Sequence, residues 1–281
     1  MAKGLSGTTR LAGVIGHPIR HSLSPLILNA AFAAAGLDWA YLAFEVAPGE
    51  GAAAVEAMRA LGIGGLSVTM PHKDQVATAV DRLTEDAVAL GAVNCVFWDG
   101  DELVGDSTDG AGFLDALRAE IGWEPAGKRC LVAGAGGAAR SIIRALGASG
   151  AADVAVANRT AAKAEAAAAL AGPVGRVAGA DDIAPADLVV NATSVGMGSP
   201  PGAHGPVPLD VAQLGPHQVV VDAVYVPRRT PLLAAAADRG AVTVDGVGML
   251  VHQAGHAFRR WTGDEPPLEA MAAAARAHLD G

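Results

Sequence analysis

RCLVAGAGGAAR, Arg129 to Arg140, decides the fold of this chain. Cys130 to Ala133 is a short apolar run without helical period, as a strand buried in a parallel sheet requires. It runs into Gly134-Ala-Gly136-Gly137-Ala138-Ala139, and Ser141 to Ala148 then reads as a helix. Strand, glycine turn and helix in that order are the context in which G-x-G-x-x-G/A binds a dinucleotide. Gly134 permits the tight turn, Gly136 lets backbone N–H groups approach a pyrophosphate, and Ala139 lets helix and strand pack closely. The next strand, Asp153 to Ala157, ends in Asn158-Arg159-Thr160. An acid there would accept a hydrogen bond from the ribose 2′-OH of NAD. This chain instead offers an amide, a guanidinium and a hydroxyl, with Lys163 a helical turn further on, all donors for a 2′-phosphate. A cation at a helix start is disfavoured by the dipole unless an anion arrives. The expected cofactor is NADP(H).

The glycine turn lies near the middle of 281 residues, so a second folding unit precedes it. The chain is 51% hydrophobic and 17% charged with a net charge of −9, a balance that suits a globular enzyme and argues against nucleic acid as partner. No window approaches the roughly 18 charge-free apolar residues of a membrane span. MAKGLSGTTR lacks the apolar stretch of a signal peptide, so a cytoplasmic location is expected. Cys95 and Cys130 lie in apolar runs without metal-ligand spacing and are expected as two lone buried thiols.

Leu11 to Ile15 reads as a strand. Ser24 then suits the N-cap of a helix running to about Ala35, with Pro25 in its first turn, so that Ser22 is not needed for capping. His21 is read as solvated or structural, with a ligand contact as the alternative. Strands at Tyr41 to Val46 and Gly65 to Thr69, with a helix from Ala52 to Leu61 between them, give a βαβαβ rhythm and a first parallel sheet. Pro71 is expected to begin a helix that places Lys73 in its first turn, an unfavourable place for a cation. Lys3, Lys73, Lys128 and Lys163 are the only lysines among 20 basic residues. Arginine cannot release its proton in water and lysine can, so a lysine kept at the carboxyl end of a strand suits proton transfer. A strand from Ala92 to Phe97 carries Asn94. Asp109 opens a helix from Ala111 to Ala119, as N-cap or with a further role, and that helix leads to the second sheet. Further strands are read at Leu188 to Asn191, Val219 to Asp222 and Thr243 to Asp245, a loop at Gly198 to Pro208, and helices at Val247 to Trp261 and Leu268 to His278.

An ordered set of stretches then resembles the shikimate dehydrogenase family. They are Gly16-His-Pro-Ile-Arg-His-Ser22-Leu-Ser24-Pro25, Val68-Thr69-Met-Pro71-His-Lys73, Gly91-Ala-Val-Asn94, Gly105-Asp-Ser-Thr108-Asp109-Gly110, the glycine turn to Arg140, Asn158-Arg-Thr160, Asn191-Ala-Thr-Ser194, and Gly246-Val-Gly248-Met249-Leu-Val-His-Gln253-Ala. The resemblance implies an α/β enzyme of two domains. Residues 1–108 and 246–281 would form a substrate-binding domain with a mainly parallel sheet, and residues 109–245 a Rossmann-type NADP-binding domain. It implies reduction of 3-dehydroshikimate to shikimate with NADPH in chorismate and aromatic amino-acid biosynthesis, by a monomer or homodimer.

Carried over by position, Ser22 and Ser24 are similar to the pair that grips the substrate carboxylate. Ser67, Thr69, Asn94, Tyr225 and Gln253 resemble the contacts to the ring, and Lys73 with Asp109 the catalytic pair. Gly134, Gly136, Gly137, Ala138, Arg140, Asn158, Arg159, Thr160 and Lys163 resemble the NADP-binding set, with Thr193, Gly246 and Met249 on the nicotinamide side. Ser67, Ser107 and Leu28 depart from the Asn, Asn and His common in the family. Quinate and aminoshikimate dehydrogenases share the scaffold, and Ser67 keeps an aminoshikimate substrate in view. A non-catalytic NADP-binding protein would have lost the Lys73–Asp109 pair, which this chain retains.

Overall fold

The computed structural model describes residues 4–199, 205 and 207–280. The chain divides into two compact units, Met1–Thr108 with Val251–Gly281, and Asp109–Leu250. It passes from one to the other between Thr108 and Asp109 and back again between Leu250 and Val251.

The first unit holds β1 (Arg10–Gly16), α1 (Ser24–Ala34), β2 (Trp39–Glu45), α2 (Gly51–Leu61), β3 (Gly65–Val68), α3 (Lys73–Ala77), β4 (Arg82–Leu83), α4 (Glu85–Leu90), β5 (Cys95–Asp99) and β6 (Glu102–Asp106). Its sheet has the order β2-β1-β3-β5-β6-β4. β1, β2 and β3 run parallel, as the alternating strand–helix rhythm requires. β5 and β6 form an antiparallel hairpin, with Gly100 at φ +63° in its turn, and β5 pairs antiparallel with β3. The sheet is thus mainly parallel, as expected, and it is completed by the hairpin that Gly100 and Asp101 suggest in the sequence, because two residues between β5 and β6 are too few for a crossover.

The second unit opens with α5 (Asp109–Ile121) and continues through β7 (Arg129–Ala133), α6 (Gly137–Ala148), β8 (Asp153–Ala157), α7 (Ala161–Ala168), β9 (Gly175–Val177), β10 (Leu188–Asn191), β11 (Val219–Asp222), α8 (Pro231–Ala237) and β12 (Val242–Val244). Its sheet is parallel throughout, in the order β12-β11-β10-β7-β8-β9. That is the doubly wound dinucleotide-binding order, with the switch between β7 and β10. Val132, Val154, Val190 and Leu188 bury one apolar layer with Ile142, Ile143 and Leu146 of α6. Leu131, Val189 and Val220 face the other way, onto Leu232, Leu233 and Ala236 of α8. Strands buried on both faces explain the unbroken apolar runs. α9 (Val247–Thr262) contains the return crossing, and α10 (Leu268–Leu279) follows it.

Cys95 and Cys130 are free and buried, and burial pushes the Cys130 thiol up to about 12. Of the loop expected from Gly198 to Pro208, residues 200–204 and 206 lie outside the described residues. No described helix is long and apolar enough to cross a membrane.

Candidate active site

In the first unit, parallel strands bring their carboxyl ends to one edge, and the hairpin adds to it. Ser22 and Ser24 follow β1, Thr69 and Lys73 follow β3, and Asn94 leads into β5, whose antiparallel course puts its start beside the end of β3. The Val68 N–H donates to the Asn94 carbonyl at 2.7 Å, and the Val93 N–H to the Lys73 carbonyl at 3.0 Å. β6 ends at the same edge in Asp106, Ser107 and Thr108. There the Asn94 amide donates to Thr108 Oγ1 at 3.0 Å and its oxygen accepts from the Thr108 N–H at 2.8 Å. Asp106 Oδ1 accepts from Thr84 Oγ1 at 2.7 Å and from the Ser107 N–H at 2.8 Å, while Oδ2 accepts from Arg260 Nε at 2.9 Å. Asp106 thus fixes the strap that ends at Thr108, a role its sequence context does not reveal.

Two local expectations are corrected here. Ser24 is the first residue of α1 and not its N-cap. Leu23 is already in the right-handed region, its carbonyl accepts from the Ile27 N–H at 3.1 Å, and the cap has no side-chain bond. Ser22 does take part, because its Oγ accepts from the Ser24 N–H at 3.3 Å, so the two serines are coupled at the helix start. Pro71 does not begin a helix. The His72 N–H donates to the Thr69 carbonyl at 3.0 Å, which closes a turn around Pro71 and starts α3 at Lys73. His72 is fully buried, and its Nε2–H donates to the Val46 carbonyl at 3.0 Å, pinning the turn that presents Lys73. Gly16 permits the close approach of this turn, since a Cβ there would lie 2.5 Å from Thr69 Cγ2.

Ser67 alternates in β3 with Leu66 and Val68, which enter the core with Val55 and Met58, so it points to the opposite face. Gly65 shares that face and packs against Trp261 of α9, the helix that carries Gln253. His21 is exposed.

In the second unit all strands are parallel, so every strand end faces the same edge. α6 begins at Gly137, directly after the glycine turn and four residues earlier than its periodicity predicts. Gly136 is the N-cap, without a side-chain bond, and the first turn holds no acid. Gly134 has φ +122°, and a Cβ there would strike the Ala192 carbonyl oxygen at 2.8 Å; a Cβ on Gly136 would point into open space. The helix start therefore keeps unclaimed N–H groups and an open approach, which fits a pyrophosphate. Ala138 and Arg140 lie half-buried in the first turn of α6.

At the end of β8 the Asn158 amide donates to the Thr160 carbonyl at 3.0 Å. Thr160 caps α7 without a side-chain bond, and no acid lies in its first turn. Arg159 and Lys163 are exposed beside this second uncapped start. Thr193 follows β10, and both its N–H and its hydroxyl donate to Asn191 Oδ1, at 3.0 and 2.7 Å. Tyr225 follows β11, half-buried, with its phenol pKa pushed up by burial. Gly246 lies close against β11's exit, where a Cβ would meet the Ala223 carbonyl oxygen at 2.4 Å. Met249 packs against the core that contains α6.

Asp109 is the buried first residue of α5, so its carboxylate lies at the positive end of that helix. Gly110 brings α5 onto α6, because a Cβ there would lie 2.6 Å from the Ser141 carbonyl oxygen. This sets the start of α5 against the middle of α6, a close approach for which the sequence carries no signal beyond the glycine itself. Gly110→Ala should therefore destabilise the fold by about 1–3 kcal/mol, since backbone cannot move aside as a side chain can. Chemical denaturation measures this, and a variant as stable as the parent would show the approach to be slack.

Three family models match the chain. One described as "Shikimate dehydrogenase substrate binding domain" covers residues 14–96, "Shikimate / quinate 5-dehydrogenase" covers 117–196, and "Shikimate 5'-dehydrogenase C-terminal domain" covers 246–276. A protein of Geobacter metallireducens named shikimate dehydrogenase (NADP(+)) is 45% identical over 274 residues, 94% of each chain. Among solved structures, shikimate 5-dehydrogenase from Thermus thermophilus in complex with NADP(H) and shikimate superposes with a TM-score of 0.88 at 36% identity, over 96% of this chain and 100% of that one. Quinate dehydrogenase from Corynebacterium glutamicum in complex with NAD gives 0.87 at 32%, over 96% and 99%. With this identity sustained across nearly all of both chains, the protein belongs to the shikimate dehydrogenase family.

Proposed function

We propose that the chain is an NADP-dependent shikimate dehydrogenase, which reversibly reduces 3-dehydroshikimate to shikimate in aromatic amino-acid biosynthesis. The observation that carries this reading is the near-complete match to shikimate dehydrogenase (NADP(+)) relatives. The gathering of Ser22, Ser24, Thr69, Lys73 and Asn94 at one sheet edge supports it.

Gly134, Gly136, Gly137, Ala138 and Arg140 would hold the pyrophosphate, and Asn158, Arg159, Thr160 and Lys163 the 2′-phosphate. Thr193, Gly246 and Met249 would line the nicotinamide side. When bound there, NADPH would supply the hydride that the C3 carbonyl accepts. The oxygen there develops negative charge and needs a positioned donor, which Lys73 provides through its ammonium. Asp109 orients that ammonium. In the oxidative direction Lys73 takes the proton from the C3 hydroxyl. Ser22 and Ser24 hold the substrate carboxylate at the start of α1, where the dipole assists. Ser67, Thr69, Asn94, Tyr225 and Gln253 hold the ring hydroxyls. We place the enzyme in the cytoplasm, acting on a small molecule as a monomer or homodimer; two buried, unpaired thiols accord with a reducing compartment.

The test is an assay of purified protein with NADP+ and shikimate, quinate or aminoshikimate in parallel, following NADPH absorbance. Quinate carries an additional hydroxyl on the carboxylate-bearing carbon, beside two coupled serines that leave it no partner. An unpaired buried hydroxyl costs about 1–3 kcal/mol, so shikimate should lead quinate by roughly tenfold or more in kcat/KM. Equal rates with quinate would overturn the assignment. Preferential turnover of aminoshikimate would point to Ser67, the departure from Asn, as the reader of the ring substituent.

A further inference from the structure

Asp222 ends β11 fully buried, and among the described residues it has no ion-pair partner. Its neighbours are neutral donors from three segments. Oδ1 accepts from the Asn191 amide at 2.9 Å and from the Val224 N–H at 3.1 Å, and Oδ2 accepts from Thr230 Oγ1 at 2.6 Å. Burial raises its pKa above the ordinary aspartate range, against the pull of these donors. A buried charge without a cation is costly unless its hydrogen-bond demand is met in full. A carboxylate accepts only, so it can collect several donors at once where an amide would present hydrogens to some of them.

What it collects is the cofactor edge of the second unit. Asn191 stands opposite Asp222 in register, and with its amide on Asp222 its oxygen is turned to accept both donors of Thr193. The same amide donates to the Val195 carbonyl at 3.1 Å. The loops after β10 and β11 are tied again by Gly198 N–H to the Val226 carbonyl at 3.0 Å, and Gly246 N–H reaches the Val224 carbonyl at 3.3 Å.

We infer that Asp222 is a positioning residue for the nicotinamide end of the cofactor site, acting through Asn191 on the Thr193 loop. This rests on the NADP reading above. Thr193 cannot keep both hydrogen bonds to Asn191 if the Asn191 amide is free to rotate, and among the described residues only Asp222 and Val195 accept from that amide. The adenosine end, at β8 and α7, shares none of these bonds.

Two ligands separate the ends. NADP+ spans the whole site, whereas adenosine 2′,5′-bisphosphate carries the 2′-phosphate and no nicotinamide. Dissociation constants of both are measured by calorimetry for the parent, for Asp222→Asn, and for Thr230→Val, which removes one donor, together with the cap that Thr230 Oγ1 gives the Leu233 N–H of α8, and keeps the carboxylate. Asp222→Asn should weaken NADP+ about tenfold or more, the loss expected when buried donors are left mismatched, and leave the bisphosphate within about twofold. Thr230→Val should shift NADP+ alone, by a smaller factor, and it carries the test if Asp222→Asn does not fold. NADP+ unchanged in the folded variants, or both ligands weakened alike, overturns the inference: the network would then be inert or merely structural. A parent protein that binds neither ligand would instead refute the cofactor reading, and this inference with it.

Discussion

Lys73→Ala should turn over about 10²–10⁴-fold more slowly than the parent, the usual contribution of a positioned acid or base. Lys73 is the first residue of a five-residue helix, with His72 locking the turn before it. The melting temperatures of parent and variant are measured alongside the rates. The loss is thus separable from unfolding. Shikimate KM should change far less than kcat, because the proton moves only as the C3 oxygen changes charge. Lys73→Arg keeps the positive charge without a proton to release, and it should be nearly as slow as the alanine variant. Steady-state rates with NADP+ and shikimate decide the matter. A Lys73→Ala enzyme with more than half the parent's turnover would remove Lys73 from the chemistry.

The second large effect concerns cofactor choice. Arg159 stands exposed before α7, whose start has no side-chain cap and no acid in its first turn. Losing a charge-assisted contact to the 2′-phosphate costs roughly 1.5–3 kcal/mol, so Arg159→Ala should weaken NADP+ by about 10–150-fold. NAD+ lacks that phosphate, and its KM should move little. Comparing KM for both cofactors in both proteins isolates the contact. Equal losses for NAD+ and NADP+ would mean that Arg159 shapes the β8–α7 turn and does not read the phosphate.

Much of this was legible without coordinates because it is local. The strands β7, β8, β10 and β11 are apolar runs bounded by turn residues, and they fall where those runs fall. Other local features lie a few residues from where the sequence alone places them. α6 begins at Gly137, since small residues tolerate helical backbone right up to the glycine turn. The cap of α1 shifted to Leu23 because the preceding turn, Ser22 N–H to the Ile19 carbonyl at 3.0 Å, had already set the backbone.

The sequence by itself determined most strands of the two α/β units, the glycine turn between β7 and α6, the polar trio that follows β8, and the residue types suited to proton transfer. Each follows from a short window in which side-chain chemistry and backbone preference act together. Only the tertiary structure decided which distant groups hold these in place. Arg260 reaches Asp106 across 154 positions, Asn191 reaches Asp222 across 31, and Gly110 lets α5 rest on the backbone of α6. Such contacts depend on strand order and register, and a buried carboxylate such as Asp222 finds its donors only once the sheet has aligned the strand ends that supply them.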